Sequence, residues 1–361
     1  MKRISYLIVF SILFFSTNSW SQEWVEMYNS TRSLGMGGAG IAVTSDETAL
    51  FRNPANLGSV RDIYGTALDP EIEGSQTFIS KSGYGSGISN DIGTVAGFLT
   101  SSPSSYYSTK QQITPSVVRR NFGLGLIYRT QLHAEVDPTS ATMNTFYQSD
   151  AGVVMGANYR PFDGIVKIGL NAKLINRIEV IKAALPVAGP FTMSTIASEG
   201  TAISYDAAMM LQVPVKLVPS IGVVVHDVGD TKYNYKDGVR LTALTEPATV
   251  KQSVDAAISI FPIHSNSTRS TWTLEYSDIT NSRNDNDTLK RVHFGFETNY
   301  RDVLFFRGGI NQRYWTAGFE VASERISWQM ASYGEEIGTT VAGVITPRED
   351  RRVSVKLSVR F

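Results

Sequence analysis

The sequence predicts an all-β fold: a transmembrane antiparallel β-barrel of about 14 strands (range 12–16), with an N-terminal hatch segment inside the lumen. Three observations carry this prediction. Apolar and polar residues alternate at period two in segment after segment, the pattern of a sheet with two unlike faces. Past the first 21 residues, no apolar run approaches the roughly 20 residues of a spanning helix. The connections between the alternating segments are short and long in turn.

Residues 1–21 read as an export signal. Lys2 and Arg3 form a basic start, Tyr6–Phe15 an apolar stretch, and Ser19-Trp20-Ser21 a small-residue cleavage site, so the mature chain is expected to begin near Gln22. The expected divisions are a signal (1–21), a hatch (22–62) and a barrel (63–361). Lys2 and Arg3 apart, 31 basic side chains face 33 acidic ones, which gives no electrostatic footprint for nucleic acid. The chain has no cysteine, so disulfides, thiol catalysis and cysteine-based metal sites are excluded. Its 16 Tyr, 17 Phe and 30 Gly suit a membrane barrel.

The stretch Ser33–Gly58 stands apart. It holds Gly35, Gly37, Gly38 and Gly40, then Ser45-Asp46-Glu47, then Asn53-Pro54-Ala55. Clustered glycines allow positive φ and close approach to another surface. A phosphate cradle would need a lysine, and none occurs between Arg32 and Ser80. A small helix is expected after Ser45 or Asp46 as its cap, ended where Pro54 forces Asn53 out of the helical region.

Strands are predicted near Ile92–Thr100, Gln111–Val118, Phe122–His133, Asp150–Arg160, Ile165–Ile181, Ala202–Val213, Leu217–Val228, Lys251–Ile263 and Ser270–Asp278. Arg291–Asn299, Val303–Asn311, Trp315–Ala322, Arg325–Tyr333 and Arg351–Phe361 complete the set, with room for a further strand or pair between Ile63 and Tyr84. The last is the cleanest: Val353, Val355, Leu357, Val359 and Phe361 share one face, and Arg352, Ser354, Lys356, Ser358 and Arg360 the other. Long loops are expected at Ala134–Ser149, Lys182–Thr201, His226–Val250, Ile279–Lys290 and Gly334–Asp350.

A barrel of this size is too wide for its own side chains to fill. The predicted lumen carries both signs: Arg129, Lys173, Asp206, Asp255, Glu275, Arg291, Glu297, Arg307, Glu320, Arg325 and Lys356. Glu297, Arg307, Glu320 and Arg325 fall on four successive strands, as a charge ladder would.

An export signal, a glycine-rich segment (Arg32–Gly40), Ser45–Leu50, Asn53-Pro54-Ala55 and then a barrel together resemble the FadL-type family. These are outer-membrane transporters of long-chain fatty acids and other hydrophobic compounds. The C-terminal part, with FGFETNY and LFFRGGINQRYWTAGFE, looks like the FadL-like and PorV/PorQ-like branch. The resemblance implies an outer-membrane location and passive uptake of hydrophobic small molecules. It also implies a hatch containing Asn53, Pro54, Ala55 and the four glycines, and release through a gap in the wall. Ala183-Ala184-Leu185-Pro186-Val187 and Phe191, in the loop Lys182–Thr201, are candidates for ligand uptake. The expected partners are outer-membrane lipid, a hydrophobic ligand, and the barrel-assembly machinery through the Phe361 strand, with the chain a monomer. A secretion-associated scaffold and a diffusion porin are the alternatives.

No cofactor is expected. The four histidines, His133, His226, His264 and His293, lack metal-ligand spacing. His226-Asp227 has no nucleophile elbow to serve, so no enzyme activity is expected. Asp285 and Asp287 lack the downstream glutamate of a calcium loop.

Overall fold

The computed structural model describes residues 23–43, 46–81, 90–102, 105–137, 141–189, 191–235, 239–243, 245–341 and 344–361. The expected export signal and Ser45 lie outside the described residues. Fourteen antiparallel strands close into one barrel. β1 is Tyr64–Leu68 continued by Glu71–Ser75, and β2 is Tyr106–Ile113 continued by Ser116–Arg119. β3 is Phe122–Asp137, β4 Thr142–Tyr159, β5 Val166–Pro186, β6 Ser198–Gln212 and β7 Ser220–His226. β8 is Ser253–Ile260, β9 Thr268–Tyr276, β10 Val292–Tyr300 and β11 Leu304–Asn311. β12 is Tyr314–Ala322, β13 Ile326–Glu336 and β14 Glu349–Arg360. Closure is made by β1 against β14, with Thr66 opposite Arg360 and Glu71 opposite Lys356.

The strand total agrees with expectation, but its membership differs. Ile92–Thr100, expected as a strand, is helix α4, and the missing strand is β1. Ile92, Val95, Ala96 and Leu99 fall on one helical face and are buried, and Asp91 caps the start by accepting from Thr94 N. The segment expected at Gln111–Val118 begins earlier and is broken at Thr114-Pro115.

β1 breaks at Asp69-Pro70, beside the break in β2. Proline brings no N–H to a ladder. Between the pairs Thr66–Ser116 and Glu71–Gln112 the ladder lapses, and the Asp69 carboxylate fills the gap. It accepts from Thr114 N (2.6 Å) and Thr114 Oγ1 (2.5 Å), with Lys356 Nζ at 3.1 Å.

The outer surface alternates as the sequence does. Phe122, Leu124, Leu126 and Tyr128 of β3 are exposed, as are Leu170 and Leu174 of β5, Ile203 and Tyr205 of β6, and Phe306 of β11. Such a continuous apolar band is the lipid-facing surface of a spanning barrel. β3 to β6, at 16, 18, 21 and 15 residues, are longer than the roughly 10 needed to cross, and rise at the long-loop end.

On that raised wall, Leu132, Ala134 and Val136 continue the outward face of β3 yet are buried. They form an apolar cluster with Phe78, the buried face of α4, Tyr107, Met143, Ile178 and Val180. Helices Gln76–Lys81 (α3) and Ile92–Thr100 (α4) therefore lie on the outside of the wall, not in its mouth. The expected loop Lys182–Thr201 is shorter at both ends, because β5 runs to Pro186 and β6 starts at Ser198.

Candidate functional site

The segment from Glu23 to Val60 packs against the inward-facing side chains of the barrel, and its described residues are buried or half-buried, none of them exposed. It begins with Glu23, whose carboxylate meets Arg352 through two bonds of 2.6 Å and lies 3.1 Å from His133 Nδ1. Burial pushes this carboxyl up, and Arg352, with His133 and Tyr106, more than reverses it, to about 2. Ser30 then starts helix Thr31–Gly35 (α1) with a reciprocal box: its hydroxyl accepts from Ser33 N while Ser33 Oγ accepts from Ser30 N.

After α1 the glycines press on the wall. Gly37 and Gly38 take φ of +69° and +81°, a region costly to other residues. A Cβ on Gly37 would sit 2.2 Å from Phe294 O, so backbone lies against backbone. Gly35 faces the Cα of Gly318, and Thr316 Oγ1 donates to Gly35 O and accepts from Gly37 N. Gly40 N and Ile41 N both donate to Glu275, at 2.7 and 3.0 Å.

The chain then turns into helix Ala49–Arg52 (α2). The expected cap is not used: Asp46 bonds Thr48 N and Oγ1, and Thr48 at the helix start is itself helical. Asn53 leaves the helix at φ −148°, ψ 101°, as Pro54 requires, and a 3-10 turn follows over Pro54–Ser59. Asn53 Nδ2 donates to Ile41 O (2.5 Å), its Oδ1 accepts from Ala55 N, and Ala55 O accepts from Asn158 Nδ2. Gly169 of β5 makes room for this turn, since a Cβ there would lie 2.2 Å from Ala55 N.

Two arginines on the segment hold it to the wall electrostatically. Arg32 meets Glu297 through Nε (3.0 Å) and Nη2 (2.8 Å), and Asp46 at 2.7 Å. Arg52 meets Glu275 at 2.9 Å. Buried, paired and bidentate charges of this kind make removal of one partner costly. The Asp46 carboxyl, pushed up by burial, is held down to about 2 by Arg32 and the Thr48 bonds.

Glu297, Arg307 and Glu320 join as a ladder, with Arg307 Nε 2.6 Å from Glu297 and its Nη2 against Glu320. Arg325, expected as the fourth rung, is instead exposed in the turn between β12 and β13. It precedes the first paired residue of β13, so its side chain never reaches the inward row. Arg291 is buried at the long-loop end, donating to Asn281 and Asp285 O.

Above the segment lies a cavity of about 620 Å³. Its walls are more polar than a hydrophobic-ligand pocket would predict. Lys173, Arg177, Asp206, His226, Asp255 and Glu179 line it together with Trp24, Tyr28, Phe146 and Tyr233. Lys173 pairs with Asp206 (2.7 Å), His226 lies between Asp206 and Asp255, and Arg177 pairs with Asp150 (2.7 Å). The ligand-uptake candidates do not line it: Leu185, Val187 and Phe191 pack on the outer cluster.

Sequence reasoning missed the receiving side. Gly123, Gly156, Gly169, Gly295, Gly309 and Gly318 all have luminal-segment atoms where a Cβ would stand. The signal was present, because each falls on the inward parity of its strand, where a polar residue is the usual choice. Glu275 falls in the expected lumen, but nothing local points to its partner Arg52, 223 residues away.

No family model matches the chain, and no curated protein matches it. Solved structures do. The CymD monoaromatic hydrocarbon channel is similar with a TM-score of 0.57 and 10% identity, covering 92% of this chain and 97% of that one. A Pseudomonas aeruginosa FadL homologue gives 0.52 and 11%, covering 95% and 99%. The P. putida toluene transporter TodX gives 0.51 and 12%, covering 91% and 97%. At these identities the likeness is one of fold.

Proposed function

We propose that this chain is an outer-membrane channel of FadL type that passively admits small molecules with a substantial apolar part, and that residues 23–60 close its short-turn end. The supporting observation is the luminal segment itself, held by backbone-to-backbone packing at Gly37 and by the buried pairs Arg32–Glu297 and Arg52–Glu275. The channels that share the fold are described as carrying monoaromatic hydrocarbons and toluene, which favours transport over catalysis. Fatty-acid specificity has less support, because the luminal cavity is lined by paired charges. The carboxylate–lysine plug at Asp69 and Lys356 stands where the β1–β2 ladder lapses, which makes it the proposed point of release.

Uptake into proteoliposomes tests this reading. The protein should speed passage of a monoaromatic hydrocarbon such as ethylbenzene over empty vesicles, while leaving a disaccharide of similar mass excluded. Equal passage of both would point to a porin, and passage of neither would end the channel reading. The raised wall of β3–β6 with α3 and α4 on its outer face supports a second reading, a docking scaffold. A stoichiometric protein partner co-purifying with the barrel would favour it.

A further inference from the structure

The charges around the luminal cavity do not cancel evenly. Every buried cation that lines it already has a carboxylate: Arg52 has Glu275, Lys173 has Asp206, Arg177 has Asp150, and Lys290 has Asp285 at 3.0 Å. A ligand carboxylate arriving there would find no buried cation free to receive it.

Glu179 is the opposite case. It lines the cavity, is only 8% exposed, and forms no ion pair among the described residues. Among the described residues its one hydrogen bond is from Ala248 N, at 3.0 Å to Oε2, and Arg177, the cation that acts on it electrostatically, is already held by Asp150. Burial of a carboxylate with a single neutral donor is unfavourable unless something else completes its shell. The same cavity wall presents Phe146, Ile181, Val250 and Tyr233, so apolar and aromatic surface stands beside this one unpaired anion.

We infer that the luminal cavity is a binding site for small amphiphiles carrying a protonated amine, with Glu179 receiving the ammonium and the aromatic and aliphatic wall receiving the apolar part. This deepens the reading of the barrel as a small-molecule channel and rests on it. An ammonium suits the site because it brings three donors and the missing positive charge. A carboxylate of the same size would place two anions together with no free buried cation to offset them.

The test uses three probes of one shape, 2-phenylethylammonium, 3-phenylpropionate and ethylbenzene, with the purified full-length barrel in neutral-detergent micelles at pH 7. Binding is read by calorimetry. The expected result is at least a tenfold preference for the ammonium over the carboxylate, reduced to near parity by Glu179→Gln. The charge reversal Glu179→Lys should turn the preference toward the carboxylate, a gain that loss of structure would not produce. Heat-modifiable electrophoretic mobility checks that each variant is a folded barrel, and Glu179→Asp, expected to keep part of the preference, replaces any variant that is not. Equal or tighter binding of the carboxylate by the natural protein overturns the inference while leaving the channel reading intact. An ammonium preference that survives Glu179→Gln overturns it as well. Binding and passage of none of the three probes would overturn both.

Discussion

Glycine is where single residues decide this structure. Gly308 and Gly309 are neighbours on β11, yet only one meets the luminal segment. A Cβ on Gly309 would lie 2.3 Å from Phe294 O and 2.8 Å from Gly37 N, whereas one on Gly308 meets nothing nearer than 3.8 Å. Gly309→Ala should therefore lift the glycine turn at a cost of about 1–3 kcal/mol, the range for overpacking a filled interior. Gly308→Ala should be nearly neutral. Protease cleavage within residues 30–45 reads the difference, and equal protection in both variants would contradict the close packing. Titration offers a second test at this scale. Asp46 and Glu23 are carboxylates whose folded values, about 2, lie below their ordinary 3.8 and 4.5. A depressed carboxyl contributes stability that is complete above its unfolded value and is lost as pH falls through its folded one. The luminal segment should thus stay seated from pH 7 to about 5 and loosen between roughly pH 4 and 2, seen as rising single-channel conductance. A conductance transition centred near pH 6 would show that other groups hold it.

Among the elements, legibility followed length and regularity. β10–β14 were readable because apolar residues recur on one face, such as Phe294 and Phe296 of β10 and Val353, Val355, Leu357 and Val359 of β14, and each strand pairs in register with its neighbours. α4 was not. Ile92–Thr100 is nine residues long, and its buried set at 92, 95, 96 and 99 is only two turns of helical spacing. β1 was legible only as room for a strand or pair between Ile63 and Tyr84, because Asp69-Pro70 splits it into two runs of five, each too short to show a period. The candidate site was legible in half. The sequence pointed to Asn53-Pro54-Ala55 and the four segment glycines, but the wall glycines that receive the segment are scattered over six strands, one to a strand, so no run of sequence joins them. The helix now makes a prediction of its own. Leu99→Asp would bury a carboxylate in the outer cluster of Leu132, Val136 and Ile178, where no cation waits. α4 should come off the wall, so that trypsin or thermolysin cuts within residues 90–105, while heat-modifiable mobility shows the barrel closed. Loss of the barrel itself would mean that the outer cluster supports closure, against the β1–β14 and β2–β3 pairings that carry it here.

At the scale of the whole molecule, two interiors share one barrel. The half lined by β9–β12 is close-packed, with α1 and the glycine turn lying on Gly295, Gly309 and Gly318. The half lined by β4–β8 is open and polar, and holds the cavity of about 620 Å³ above α2 and the Asn53 turn. What separates that cavity from the short-turn end is the stretch from Ile41 to Val60, whose ties are Asn53 and Asn56 to Ile41 O and Arg52 to Glu275. Removal of residues 23–60 would leave a lumen that 14 strands cannot fill with side chains. It would also take from Glu275 its three donors on the segment, from Glu297 the Arg32 guanidinium and from Glu71 the Thr31 N–H, leaving Arg307 and Lys110 to the last two, so water and counter-ions must enter. The truncated chain should form a folded barrel with a steady conductance well above that of the intact protein, and with mild cation selectivity from the freed glutamates. Glu275→Gln in the full-length chain should give an intermediate result, brief openings on a closed baseline, because Arg52 loses its carboxylate while the Gly37 packing remains. Planar-bilayer recording of the three proteins decides the matter. A large steady conductance in the intact chain would show that the segment does not close the lumen, and a closed truncated barrel would show that the wall alone does.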